Sequence, residues 1–131
     1  MESDFKFEII SPEKVVFSDS VKMVSVPSYE GDMSILKNHI SIITFLRPGI
    51  IKVQKNDKNF NEFFVQDGTV EYFNDNLVIL SNSAIEMKNL SKAIIDKLNK
   101  EALDKLTGAN ITDHDRYILH RKIDILKEIG I

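Results

Sequence analysis

The chain contains no cysteine and no tryptophan. Without cysteine there is no disulfide, no thiolate nucleophile and no cysteine-ligated zinc, a composition that fits a reducing compartment. Aromatic residues make up only 8%, too few for the broad stacking platforms that sugar-binding sandwiches present. No apolar run approaches the ~20 residues that span a bilayer. An excess of basic charge is missing too: 17 Lys and Arg stand against 20 Asp and Glu, net −3, interleaved along the chain. A surface that tracks a phosphate backbone needs a clustered basic excess, so nucleic acid is not expected as a partner. The opening Met1-Glu2-Ser3-Asp4 is acidic and lacks an apolar segment, so no secretory signal is expected. The phosphate-cradling and catalytic runs G-x-x-x-x-G-K, G-x-G-x-x-G, H-E-x-x-H and G-x-S-x-G do not occur.

What is present is ordinary folding material: 131 residues, 43% hydrophobic and 28% charged, enough for one core and a small appendage. The hydrophobic period changes near Leu90. Before it, Phe5, Phe7 and Ile9 alternate with Lys6 and Glu8, the two-residue period of a half-buried strand. Val15–Phe17, Val21–Val26, Ile50–Val53, Glu62–Gln66, Val70–Phe73 and Leu77–Leu80 continue in the same β-branched and aromatic vein. Turn residues separate them at Asn56-Asp57, Asp67-Gly68 and Asn74-Asp75-Asn76, and Arg47-Pro48-Gly49 suits a type II turn. The stretch Lys37–Phe45 fits either a loop or a single helical turn. Short strands at this spacing predict an antiparallel β-sandwich over residues 1–89.

Beyond Leu90 the apolar residues recur at three- and four-residue steps. Ser91 is placed to cap a helix carrying Ile94 or Ile95, Leu98, Ala102 and Leu106, and Gly108 suits a left-handed residue after its end. Thr112 or Asp113 then caps a second helix striped by Leu119, Ile123, Leu126 and Ile129. The link is short, so residues 90–131 are predicted to form an antiparallel helical hairpin. Helices of this length are marginal alone in water, so the stripes must dock. A hairpin held by so small a net free energy can exchange docking partners, which is what a regulatory arm requires.

Candidate chemistry is sparse. The histidines are His39, His114 and His120. Asp113-His114-Asp115 has metal-binding residue types, but neighbours at a helix start point in different directions, and acids there complement the helix dipole. His120 lies about 240° around the helix from His114. Ser11 and Ser18 have no adjacent base. No catalytic residue, metal site or cofactor site is assigned.

The densest stretch of unusual residues runs from Val26 to His39. Its Val26, Pro27, Glu30, Gly31, Asp32, Ile35, Leu36, Asn38 and His39 resemble the signature of the epsilon subunit of bacterial F-type ATP synthases. Leu46-Arg47-Pro48-Gly49, the run from Phe64 to Glu71, Asn76–Leu80 and the opening from Phe7 to Phe17 with Ser11-Pro12-Glu13 resemble further family segments in the same order. The match covers roughly two thirds of the chain, with the helical hairpin behind it. Ser28 and Ser34 stand where glycines are common, Lys37 where proline is common, and Asp67 where glycine is frequent.

The resemblance implies a non-catalytic rotor subunit of the central stalk, which binds the gamma subunit and rests on the polar loops of the membrane c-ring. By position, Glu30, Gly31, Asp32 and His39 are the expected ring-facing residues, and Ile43 and Ile50 face either gamma or the sandwich core. In some members the hairpin reaches the catalytic alpha/beta hexamer and restrains ATP hydrolysis; Arg116, Arg121, Lys122 and Lys127 are the matching basic residues. Some members also bind ATP on the first helix. Here Ile95-Asp96 fits the start of that motif, but Asn99 replaces its arginine and Lys100 its alanine, removing the planar fork that grips phosphate. The resemblance places the protein at the cytoplasmic face of the bacterial inner membrane, held there by its partners, and a plastid-made version would equally lack a targeting segment. A contrasting reading is a free-standing sandwich that binds a small ligand under a helical lid, which requires a concave apolar pocket with converging polar groups.

Overall fold

Phe5, Phe7 and Ile9 point into a core while Lys6 stays in solvent, which fixes the first strand, β1 (Phe5–Ile10). The computed structural model describes residues 3–130. After β1 come β2 (Val15–Val21), β3 (Met23–Ser28), β4 (Gly31–Leu36), β5 (Ile42–Leu46) and β6 (Gly49–Gln54). They are followed by β7 (Phe60–Val65), β8 (Gly68–Phe73), β9 (Asn76–Leu80) and the short β10 (Ile85–Glu86). A 3-10 turn over Met87–Asn89 leads to α1 (Lys92–Leu106) and α2 (Asp113–Ile129). The chain divides into two units, one up to Met87 and the other from Lys88.

The strands order as β10-β7-β6-β3-β5-β8-β9-β1-β2, with β4 on the other side of β3. Between β3 and β5 the pairing is confined to Ser28 and Leu46, so the sheet folds there into two layers, β10-β7-β6-β3-β4 and β5-β8-β9-β1-β2. Phe5, Phe7, Ile9, Val70, Tyr72, Leu77 and Ile79 from one layer meet Val24, Val26, Ile35, Ile51, Val53, Phe63 and Val65 from the other. Phe17 bridges them, its ring 5.7 Å from Phe7 and 5.4 Å from Phe63. The layers form the expected sandwich with one difference: β1 and β9 pair in parallel, from Lys6 beside Asn76 to Ile10 beside Leu80. Each of these strands has an antiparallel neighbour on its other side, β1 with β2 and β9 with β8, so the parallel pairing is confined to the seam between two hairpins.

Several local expectations give way. Lys37–Phe45 is a turn with Asn38 at φ 67° followed by strand β5, neither a plain loop nor a helical turn. The run Val21–Val26 is broken at Lys22, which separates β2 from β3 and whose N–H donates to the Gln54 carbonyl. Arg47-Pro48-Gly49 forms no type II turn: the positive-φ glycines among the described residues are Gly31 and Gly68, and Gly49 already belongs to β6. Gly108 is not left-handed either. Thr107 caps α1 at φ −85°, and the last turn tightens as the Thr107 and Gly108 N–H groups reach the Asp104 and Lys105 carbonyls. At the Asn74-Asp75 turn both residues take positive φ, 52° and 59°, the conformation a two-residue hairpin between right-twisted strands prefers.

In the helical unit, Ser91 caps α1 by accepting the Ile94 N–H at 3.2 Å. Thr112 caps α2 in a reciprocal box: Asp115 N–H donates to Thr112 Oγ1 at 3.0 Å, and Thr112 N–H to Asp115 Oδ2 at 3.2 Å. Ile95 and Ala102 on α1 and Leu119 and Leu126 on α2 are buried, and the helices form the antiparallel hairpin.

Candidate interaction surfaces

The reversal between β3 and β4 is a two-residue loop, Tyr29-Glu30, closed by the Ser28–Gly31 pair. Tyr29 and Glu30 are not among the positive-φ residues; Gly31 completes the turn at φ 126°, a value that disfavours any side chain. Buried Ser28 secures it by donating from Oγ to the Gly31 carbonyl at 2.6 Å. Thr44 Oγ1, inside the adjacent strand, donates to Glu30 Oε2 at 2.6 Å. That bond, before other hydrogen bonds, holds the Glu30 carboxyl below its ordinary value, so the group stays ionised. Asp32, exposed on β4, pairs with the Arg47 guanidinium at 3.6 Å. Glu30, Gly31 and Asp32 thus form one rigid acidic corner.

His39 is not part of that corner. Strand β4 separates them, and its five residue steps span roughly 17 Å. The four residues expected in one ring-facing loop therefore lie at the two ends of β4. At the far end His39 donates its N–H to the Leu36 carbonyl at 3.1 Å, and its ring packs edge-on against Tyr72 with centroids 5.7 Å apart. Tyr72 is buried and donates its hydroxyl to Asp75 Oδ1 at 2.7 Å. Burial, then the Asp75 carboxylate, pushes the Tyr72 phenol up to about 12.

Ile43 and Ile50 are also separated. Ile43 is 74% exposed on the outer face of the β5-β8-β9-β1-β2 layer, so the core alternative fails for it. Ile50 is half-buried on the outer face of the opposite layer, in a shallow cleft with Met33 and Lys52. Phe45, Phe73, Leu80 and Val15 on the same outer face are also more than half exposed, with Glu71 directly beside Ile43 and Thr69 between Phe45 and Leu80. An apolar hollow of about 590 Å³ opens at one end of this face, lined by Ile10, Pro12, Tyr29, Phe45 and Leu80.

The four basic residues of α2 do not share one face. Arg116 and Lys127 lie about 20° apart around the helix, whereas Arg121 and Lys122 are turned well away from both. Arg116 is paired with Asp113 at 3.5 Å, and Lys122 is buried. Between the helices a cleft of about 240 Å³ is lined by Lys92, Asp96, Asn99, Leu126 and Lys127. Asn99 Oδ1 is buried there without a hydrogen-bond partner, and Lys100 is exposed outside it. No group of three or more metal-ligating side chains exists among the described residues, Asp113-His114-Asp115 included.

Residues 4–87 match the family model for the ATP synthase delta/epsilon chain beta-sandwich domain. The ATP synthase epsilon chain of Pelagibacter ubique (strain HTCC1062) is 43% identical over 99% of this chain and all of its own length. That of Parvibaculum lavamentivorans is 33% identical over 98% of this chain and 97% of its own. The chain belongs to the ATP synthase delta/epsilon family.

As a family member it is a non-catalytic central-stalk subunit, not an enzyme. The fold recurs in a chain of the Euglena gracilis mitochondrial ATP synthase OSCP/F1/c-ring structure, at TM-score 0.73 and 16% identity, covering 95% of this chain and 78% of that one. It recurs again in the Tetrahymena thermophila mitochondrial ATP synthase central stalk/c-ring structure, at TM-score 0.68 and 13% identity, over 94% and 93%. Departures from the epsilon signature are absorbed locally. Ser28 sits in β3 with a satisfied hydroxyl, Ser34 pairs its hydroxyl with Ser25 at 3.1 Å, and the exposed Asp67 carboxylate accepts the Ser83 hydroxyl on Oδ1 at 3.4 Å. No helix of the described chain is long and apolar enough to cross a membrane.

Proposed function

We propose that this epsilon chain binds the gamma subunit through the outer face around Ile43 and Phe45, and meets the c-ring through the Glu30–Asp32 corner. The observation that carries the reading is the exposed apolar set Ile43, Phe45, Phe73 and Leu80 on one layer. Sheet faces left in water are mostly polar, and several large apolar side chains exposed together on one face, even with Thr69 and Glu71 among them, mark a partner site. The hollow beside Phe45 and Leu80 continues that face, so it accommodates a partner side chain better than it serves a free-standing ligand-binding module. The corner suits the other contact: Glu30 and Asp32 are fixed acids on a wet edge, able to pair with polar or basic loops. Such a subunit sits at the cytoplasmic face of the inner membrane without entering it.

Ile50 and His39 fall outside both surfaces. On the hairpin, Arg116 and Lys127 supply the exposed basic face that contact with an acidic segment of the catalytic hexamer requires, and truncation after Leu90 should then raise ATP hydrolysis by the assembled enzyme. The test of the main reading is co-purification with gamma from the same cell at physiological salt. A 1:1 complex is expected, weakened at least tenfold in the Ile43→Ser/Phe45→Ser double variant with the fold intact. A folded gamma that ignores the wild-type chain refutes the reading, and an unweakened double variant moves the interface elsewhere.

A further inference from the structure

At the end of the sandwich away from the acidic corner, one carboxylate organises three segments. Asp75 Oδ1 accepts the Tyr72 hydroxyl at 2.7 Å and the Asn38 backbone N–H at 3.0 Å. The Asp75 carbonyl accepts the Lys6 N–H at 3.1 Å. Asp75 therefore ties the β8–β9 turn to β1 and to the 37–41 loop, which is 37 residues away in sequence. The loop's other anchors are the His39 N–H on Leu36, the His39 ring nitrogen on the Ile40 carbonyl at 2.6 Å, the His39 ring against Tyr72, the Tyr72 hydroxyl beside the Asn38 and His39 backbone, and the left-handed Asn38 at φ 67°. It carries Ile40, which at 78% exposure is the most exposed large apolar side chain among the described residues. The loop feeds directly into β5, whose register brings Ser41 level with Phe73 just before the Ile42–Tyr72 pair, so exposed Ile40 stands just beyond the end of the strand that carries Ile43 and Phe45.

A loop left to sample many conformations loses binding free energy when a partner orders it, and holding it beforehand removes that loss. We propose that Asp75 is a positioning residue, holding the 37–41 loop in one conformation so that Ile40 extends the gamma-binding face. This rests on the reading of that face given above. Asp75 itself need not touch the partner; it acts through the Asn38 N–H.

The test pairs amide hydrogen exchange on the free chain with gamma affinity. Asp75→Gly keeps the left-handed turn accessible while deleting the acceptor. It should speed exchange at the Asn38 and His39 amides at least tenfold, leave the β6 and β7 amides unchanged, and weaken gamma binding at least fivefold. Asp75→Asn retains an acceptor oxygen and should stay within twofold of wild type on both readouts, a rescue that a general loss of stability does not produce. Ile40→Ser should weaken binding without altering exchange. Should Asp75→Gly fail to fold, Tyr72→Phe, which removes one of the two bonds to Oδ1 and the hydroxyl's own contact with the Asn38 and His39 backbone, is expected to change both readouts in the same directions. A loosened loop with undiminished gamma affinity overturns the proposal, as does an unchanged loop or wild-type binding by Ile40→Ser. A wild-type chain that does not bind gamma at all fails the underlying interface reading, and this proposal with it.

Discussion

Replacing Gly68 with alanine separates two costs that a glycine can hide. Gly68 opens β8 at φ 145°, where a Cβ would come 2.6 Å from the Leu80 carbonyl oxygen, 3.0 Å from Ser81 Cβ and 3.2 Å from Leu46 Cδ1. The backbone conformation alone costs a residue with a Cβ ~1–3 kcal/mol. The contact with Leu80 adds to it, because a backbone carbonyl cannot rotate out of the way as a side-chain tip does. Relief requires β8 and β9 to part, and overpacking of this kind costs a further ~1–3 kcal/mol. The expected total, about 2–6 kcal/mol, is a large share of the ~5–15 kcal/mol that holds a typical domain. Gly31 is the internal control. Its φ is 126°, and nothing lies within 4 Å of the position a Cβ would take, so Gly31→Ala should lose only the first ~1–3 kcal/mol. Urea unfolding of the two variants, followed by the sheet signal in far-ultraviolet circular dichroism, gives both numbers from midpoints at equal slope. A Gly68→Ala variant no less stable than Gly31→Ala would refute the steric part of this reasoning.

Three further outcomes are expected. The Tyr72 phenol is raised from 10.0 to about 12 by burial and by Asp75, so the stability it contributes is complete below pH 10 and lost as pH climbs toward 12. That rise is worth about 3 kcal/mol by linkage, and Tyr72→Phe should flatten the alkaline limb of a stability–pH curve between those values. Thr112→Ala removes the acceptor half of the α2 capping box and should cost the hairpin ~0.5–2 kcal/mol, read as faster exchange in the first turn of α2 with the strands unaffected. Isothermal titration with ATP should show no millimolar or tighter binding, since Asn99 places a neutral amide where phosphate recognition calls for a guanidinium.

The strands that follow a polar–apolar alternation were legible: β1, β6, β8 and β9 all bury the residues their pattern points inward. Strand β5 was not, because both of its faces are largely apolar and no alternation marks it. Thr44 and Leu46 face the core while Ile43 and Phe45 face water, so the run resembles a loop or a helical turn until a partner for the apolar face is allowed for. Gly49 and Gly108 misled for a related reason. A glycine permits positive φ without requiring it, and the neighbouring pairings of β6 and the tightened end of α1 used negative values at both.

Composition and periodicity by themselves determined a sandwich followed by a helical hairpin, the absence of cysteine chemistry and the Ser91 cap, and narrowed the second cap to Thr112 or Asp113, because each depends on residues close together in the chain. The order of spaced motifs, from Val26 through His39 to Leu80, was enough to point to the family. Only the tertiary structure decided which residues share a surface. It sent His39 to the opposite end of β4 from Glu30 and Asp32, put Ile43 and Ile50 on different outer faces, and turned Arg121 and Lys122 away from Arg116 and Lys127. It also brought Asp75 to Asn38 across 37 residues. Sequence distance carries no record of which end of a strand a loop occupies or which layer a strand joins; those follow from how the two sheets fold on each other at Ser28 and Leu46.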